Sequence, residues 1–280
     1  MNLRFLKGHG TENDFVLLPD ADGSLGAPGA DLVRRLCDRH AGLGADGVIR
    51  VVRTHASDDP AAVAARGEAT WFMDYVNSDG SVGRMCGNGV RVLGRYLVDH
   101  EGVDPAQPLA VATRAGVKVL VFGDDGRITV DMGRPQVLGE TKVSVGDRSW
   151  PATHVDMGNP HAVAFVDDLA DAGHLLEAPA HDPDLYPQGV NVEFVVRRGP
   201  GHVAMRVHER GSGETRSCGT GACAVMVVAA SDDGAGSGDG RGSTYAVDVP
   251  GGSLEIAWTE DDRVLMTGPA VLVAEGVWTG

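Results

Sequence analysis

Lysine is scarce in this sequence: only Lys7, Lys118 and Lys142 occur, so arginine supplies the rest of 24 basic residues, set against 39 acidic ones. The formal net charge is -15 and no Lys/Arg-rich block occurs, which removes the footprint that a nucleic-acid or anionic-membrane surface requires. Long apolar runs are also missing. The longest, Ala222 to Ala230, is far short of the ~20 residues a membrane-crossing helix needs. The amino terminus, MNLRFLKGHGTENDF, meets glycine and charge before a signal-peptide core could develop. A cytoplasmic protein is expected. Cysteine is limited to Cys37, Cys86, Cys218 and Cys223, and in that compartment free thiols are expected, which turns attention to catalysis or metal binding.

With 280 residues, 42% of them hydrophobic, the chain suits about two domains with their own cores. Forty glycines and 14 prolines cut it into short segments. β-Branched alternation at 16–18, 47–52, 118–122 and 127–132 predicts strands. Helical spacing appears over Asp31 to His40, Asp168 to Leu176, Val90 to His100 and Ala222 to Ala230. Strands outnumber helices, so the class is α+β, with helices on mixed or antiparallel sheets. Thr54 to Gly67 and Ser231 to Ser243 are expected as surface loops, the second a flexible linker.

An internal repeat is the most informative feature. Cys86 and Cys218 lie 132 residues apart, and in the same register Arg84 matches Arg216, Gly87 matches Gly219 and Gly89 matches Gly221. Each half therefore carries Arg-x-Cys-Gly-x-Gly followed by an apolar helical segment. Glycines let a ligand approach the backbone, and the unpaired N–H groups of a helix start cradle a carboxylate or phosphate. A cysteine there feels the positive end of the helix dipole, which lowers its pKa. If Cys86 and Cys218 face each other, one serves as thiolate base and the other as thiol acid, the minimum needed to invert a carbon bearing an acidic hydrogen. Cys37 and Cys223 sit in helical patterns and are expected as buried packing residues. No C-x₂-C or His-x₃₋₅-His spacing completes a zinc set, so no metal is expected.

Glycine-rich segments contribute a further polar group: Asn13, Asn77, Asn159, His161, Asn191, Glu209 and Arg210. Amides recognise ammonium and carboxylate groups without a competing charge, and one arginine offers a bidentate clamp. Glu209 is placed to pair with a substrate ammonium or to tune a thiol.

GTENDFVLLP, GLGADGV, NSDGSVGRMCGNGVR, VDMGRP, MGNPHAV, GVNVEF and ERGSGETRSCGTGACA, in that order, resemble the diaminopimelate epimerases over nearly the whole chain. The resemblance implies two pseudo-symmetric domains, 1–130 with 268–280 returning to it and 131–267, each a curled sheet around a central helix with the active site between them. It implies interconversion of LL- and meso-2,6-diaminopimelate, for lysine and peptidoglycan synthesis, without pyridoxal phosphate, metal or other cofactor. Cys86 and Cys218 would be the acid/base pair. Gly87, Asn88, Gly219 and Thr220 would hold the carboxylate at the reacting end. Asn13, Asn77, Asn159, Asn191, Glu209 and Arg210 would bind the other groups, and His161 and Glu209 would tune the cysteines. The partner is a small molecule, with no nucleic acid and no membrane; a homodimer is the one macromolecular association entertained, the oligomeric state being open.

Two positions depart from the family pattern. Glu12 replaces a commoner glycine, and Gly47 replaces an occasional binding glutamine. The nearest alternative is a two-cysteine racemase of the proline racemase type, which carries histidine after the first Cys-Gly and Ser-Pro before the second; here Asn88 and Arg216-Ser217 stand there. A thiol redox or peptide-binding module with a switchable disulfide is the alternative of another class.

Overall fold

The computed structural model describes residues 2–234 and 239–280. It divides into two compact units, residues 1–130 with 268–280 and residues 131–267. The first contains β1 (Leu3–Gly10), β2 (Asn13–Pro19), α1 (Ala30–Cys37), β3 (Gly47–Arg53), α2 (Pro60–Ala64), β4 (Trp71–Asn77), α3 (Gly87–Glu101), β5 (Leu109–Thr113), β6 (Gly116–Phe122) and the first half of β7 (Ile128–Gly133). The second contains β8 (Gln136–Val145), β9 (Arg148–Asp156), β10 (Pro160–Phe165), β11 (Asn191–Gly199), β12 (His202–Glu209), β13 (Gly213–Thr215), α4 (Gly219–Gly234), β14 (Ser243–Val249), β15 (Gly252–Trp258) and most of β16 (Val264–Gly268). The last strand, β17 (Val271–Trp278), then joins the first unit by pairing antiparallel with β1.

The class is α+β, as expected, and the units repeat one topology. From β17 the first runs β17-β1-β2-β3-β4-β5-β6-β7, with pairing senses antiparallel, antiparallel, parallel, antiparallel, parallel, antiparallel, antiparallel. From β8 the second runs β8-β9-β10-β11-β12-β14-β15-β16 with the same senses in the same order. The second unit reads this order straight along the chain. The first takes its leading strand from the carboxyl terminus instead.

Parallel neighbours need a crossover, and the second parallel step in each unit is crossed by the central helix. Val90, Val92, Leu93, Tyr96 and Leu97 of α3 are all buried, and α4 is buried all round from Gly221 to Ala230, the signature of a helix enclosed by its own sheet. Just before each helix the chain folds back on the preceding strand, by a Val76 to Val82 bridge in the first unit and by β13 against β12 in the second. This places the Cys-Gly segment at the helix start.

Three sequence expectations need correction. Asp168 to Leu176 forms only a single 3₁₀ turn, Leu169–Ala172, because Gly173 adopts φ 60 and ψ -139 and ends it. The segment from Thr54 to Gly67 is not plain loop: a 3₁₀ turn at Thr54–Ala56 precedes α2, whose Asp59 N-cap accepts from Ala61 N and whose first residue is Pro60, a favoured helix start. The supposed linker at 231–243 begins as helix. Its first four residues complete α4, where Ser231 Oγ donates to Val227 O at 2.8 Å and Arg197 pairs with Asp232 and Asp233; residues 235–238 of that expectation lie outside the described residues. No helix among the described residues is long and apolar enough to cross a membrane.

Candidate functional site

The expected residues fall into two clusters, one in each unit, both built on the start of the central helix. In the first unit Cys86 is the N-cap of α3, extended at φ -137 and ψ 122, and its carbonyl accepts the opening bond from Val90 N at 2.9 Å. The cysteine is half-buried, while Gly87 and Asn88 are buried beneath it. Its Sγ lies 3.5 Å from Asn13 Oδ1, which also accepts from Asn88 Nδ2 at 3.2 Å. Asn13 Nδ2 donates to Asp46 Oδ2 at 2.7 Å, and Asn88 Oδ1 accepts from Arg91 Nη2 at 2.9 Å. Arg91 can only donate and an ionised Asp46 can only accept, so the two ends of this chain orient both amides. Asn77 stands apart, donating to Ser81 Oγ at 3.0 Å in the turn after β4.

The hairpin that delivers Asn13 is strained. Thr11 and Glu12 both have positive φ, at 49 and 60, in a two-residue turn between paired Gly10 and Asn13. Such turns favour Asn-Gly, which explains the glycine commoner at position 12. Charges hold the base of this hairpin: Asp14 takes hydrogen bonds from Arg39 and Lys7, while Asp46 also pairs with Arg39. Burial alone would raise Asp14, but the Arg39 and Lys7 hydrogen bonds outweigh it and hold its carboxyl below the usual range. Asp46 is pushed up, by burial and by the neighbouring Asp14 charge. At Gly47 a side chain has no room, since a Cβ would lie 2.6 Å from Tyr75 Cε2 and 2.8 Å from Val76 O.

In the second unit Cys218 precedes α4, 5% exposed. Gly221 N donates to its Sγ at 3.4 Å and Thr220 Oγ1 lies 3.5 Å away. The helix-dipole expectation of a lowered pKa fails for Cys218. Its pKa is raised well above the ordinary thiol value, first by burial and then by the charges of Glu209 and Glu193; the contacts from Thr220 and Gly221 oppose this without overcoming it. His161 and Glu193, both fully buried, meet at 2.6 Å between Nδ1 and Oε1, and His161 Nε2 lies 3.1 Å from Asn159 Oδ1. Asn191 Oδ1 accepts from Arg210 N at 2.9 Å, Arg210 reaches Gln188 O at 3.4 Å, and Glu209 accepts from Thr215 Oγ1.

The four cysteines are free. Cys37 and Cys223 are buried in packing positions, and burial pushes the Cys37 thiol up to about 12. Among the described residues no group of three or more His, Cys, Asp or Glu could hold a metal ion. Residue-level reading missed Asp46, Arg91 and Glu193. All three lie inside quoted motifs, and a charge within a strand buried on both faces, as at Glu193, or within a buried helix, as at Arg91, is the signal that would have found two of them.

Comparison with known proteins follows the same outline. The diaminopimelate epimerase family model matches residues 5–138 and 153–273. A diaminopimelate epimerase of Streptomyces coelicolor is 60% identical over 277 residues, covering 98% of this chain and 94% of that protein. Those of Thermobifida fusca and Mycolicibacterium smegmatis are 48% and 46% identical, covering 98% and 97% of this chain and 97% and 95% of their own. Among solved structures, a hydroxyproline epimerase from Agrobacterium vitis superposes with TM-score 0.68 at 14% identity, covering 99% of this chain and 92% of its own. A phenazine biosynthesis protein of the PhzF family from Bacillus anthracis has TM-score 0.68 at 15% identity, over 100% of both chains. At that identity the structures show the shared two-unit fold and nothing finer, whereas the sequence relatives extend over almost the whole chain: it belongs to the diaminopimelate epimerase family.

Proposed function

We propose that this protein is an epimerase that interconverts LL- and meso-2,6-diaminopimelate by a two-base mechanism needing no cofactor. The observation that carries the reading is the repeated Cys-Gly-x-Gly helix start, one copy in each topologically equivalent unit. In this reading the thiolate of one cysteine removes the α-proton and becomes a thiol, leaving a carbanion whose charge spreads into the adjacent carboxylate. The thiol of the other cysteine delivers its proton to the opposite face and becomes a thiolate. Backbone donors at Gly87, Asn88, Gly219 and Thr220 hold the reacting carboxylate and stabilise the charge that develops on it. Asn13, Asn77, Asn159, Asn191 and Arg210 bind the remaining amino and carboxylate groups. Glu209 takes an ammonium, and with His161 it adjusts the proton affinity of the cysteines. The protein works in the cytoplasm on lysine and peptidoglycan precursors, and a homodimer is its expected assembly.

The test follows LL-diaminopimelate by NMR in deuterated water, with reductant and chelator and without pyridoxal phosphate. Deuterium at the inverted α-carbon and meso product are expected, and Cys86→Ala and Cys218→Ala should each abolish epimerisation in a protein that remains folded. Near wild-type turnover by either variant would overturn the two-cysteine reading. Absence of exchange by reduced, folded protein, with turnover of proline-like substrates instead, would overturn the substrate.

A further inference from the structure

The two helix starts share backbone and cysteine but not what lies beneath them. Parallel pairing sets Phe15 opposite Gly47 at the start of β2 and β3, and His161 opposite Asn191 at the start of β10 and β11. Two residues along β3 comes Ile49; two residues along β11 comes Glu193. Both meet the last glycine of the Cys-Gly-x-Gly run. A Cβ on Gly89 would lie 3.0 Å from Ile49 Cδ1 and 3.4 Å from Cys86 Cβ, whereas one on Gly221 would lie 2.6 Å from Glu193 Oε1 and 3.3 Å from Cys218 Sγ. At matching places, the first unit has a hydrocarbon and the second a fully buried carboxylate. His161 holds Oε1, and Oε2 is buried without a hydrogen-bond partner. A carboxylate oxygen left bare costs free energy that packing alone does not recover, which is expected of a group retained for its charge.

We propose that Glu193 is a positioning residue for Cys218: its carboxylate, aimed at the α4 start by His161, keeps Cys218 protonated in the substrate-free protein. The groups facing Cys218 are Glu193 from β11, Glu209 from β12, and Thr220 with the Gly221 N–H from α4, with His161 behind Glu193. The Cys86 side includes the amides of Asn13 and Asn88, with Asp46 behind Asn13 and Arg91 behind Asn88. Two carboxylates thus bear on the buried thiol of Cys218. In the proposed reaction, on which the catalytic meaning rests, Cys218 then stands ready as the acid of the resting protein.

The experiment needs no substrate. The intact protein is alkylated with iodoacetamide across a pH series, and each cysteine is quantified by peptide mass spectrometry. The midpoint of each profile reports thiol ionisation, while burial alters the plateau rate. Cys218 is expected to titrate above the ordinary thiol range, and Glu193→Gln, nearly the same shape without the charge, should lower the Cys218 midpoint by about one pH unit or more while leaving that of Cys86 in place. A wild-type Cys218 midpoint at or below the ordinary thiol value of about 8.5 overturns the proposal even if the variant fails to fold. So does a folded Glu193→Gln whose Cys218 midpoint is unchanged. Failure here leaves the deuterium-exchange result standing, and failure of exchange leaves the thiol titrations standing, so the two readings fall separately.

Discussion

Replacing Gly221 by alanine sets two opposed effects against each other at one residue. Alanine favours a helix over glycine by up to about 1 kcal/mol, so propensity alone predicts stabilisation. The new methyl, however, would stand 2.6 Å from Glu193 Oε1 and 3.3 Å from Cys218 Sγ. Overfilling a packed interior costs typically about 1–3 kcal/mol, and displacing a fully buried carboxylate from His161 forfeits a charge-assisted bond of about 1.5–3 kcal/mol. The expected net loss is roughly 1.5–5 kcal/mol after the propensity gain. Gly89 is the internal control, for it holds the same place in the other helix. There the methyl meets Met73 Cε at 2.8 Å and Ile49 Cδ1 at 3.0 Å, the free ends of flexible apolar side chains. Their small shifts nearly cancel the propensity gain, leaving about 0–1 kcal/mol. Urea unfolding followed by circular dichroism compares the three proteins. Gly221→Ala unfolding at or above the wild-type midpoint, or Gly89→Ala being the weaker variant, would refute the reasoning.

Three further outcomes are expected. Because burial raises the Cys37 thiol to about 12, the folded chain holds a proton that the unfolded one releases from about pH 8.5; stability from this group is complete below that pH and falls as pH rises towards the folded value. Cys37→Ala should therefore flatten the alkaline decline in unfolding temperature, and an unchanged slope would contradict this. Glu12→Gly should raise the unfolding free energy by about 0.5–1 kcal/mol, read as a higher urea midpoint, since relief of a left-handed conformation exceeds the entropy cost of glycine; a lowered midpoint would show that the Glu12 side chain contributes more than its backbone costs. Gly47→Gln should destabilise by at least about 1 kcal/mol through the Tyr75 clash, and a stable variant with tighter diaminopimelate binding would show that Tyr75 yields.

Much of the architecture was legible because short segments carried strong local signals. The alternating runs lie in β2, β3, β6 and β7, and the apolar helical patterns after each Cys-Gly lie in α3 and α4. Where the reading failed, local composition pointed away from what distant residues imposed. SDDG looks like linker, but Arg197, from β11, pairs with both aspartates and holds them in the last turn of α4. DPAAVA lacks an apolar stripe, yet Asp59 and Pro60 cap it into a short helix. The stretch after Asp168 has helical spacing, and one glycine with positive φ stops it.

The sequence by itself determined the pair of Cys-Gly-x-Gly helix starts, the kinds of side chain supplied around them and membership of the family, because these depend on residue identity and spacing along the chain. Tertiary structure alone decided which residues bear on each cysteine. Asp46, Arg91 and Glu193 arrive from the bend before β3, from α3 and from β11, whose register no linear pattern records. It also decided that the two helix starts, matched in backbone and opening residues, differ in charge. A helix dipole acts on both cysteines alike, but burial and a carboxylate close at hand act only where packing puts them, and at Cys218 they outweigh it.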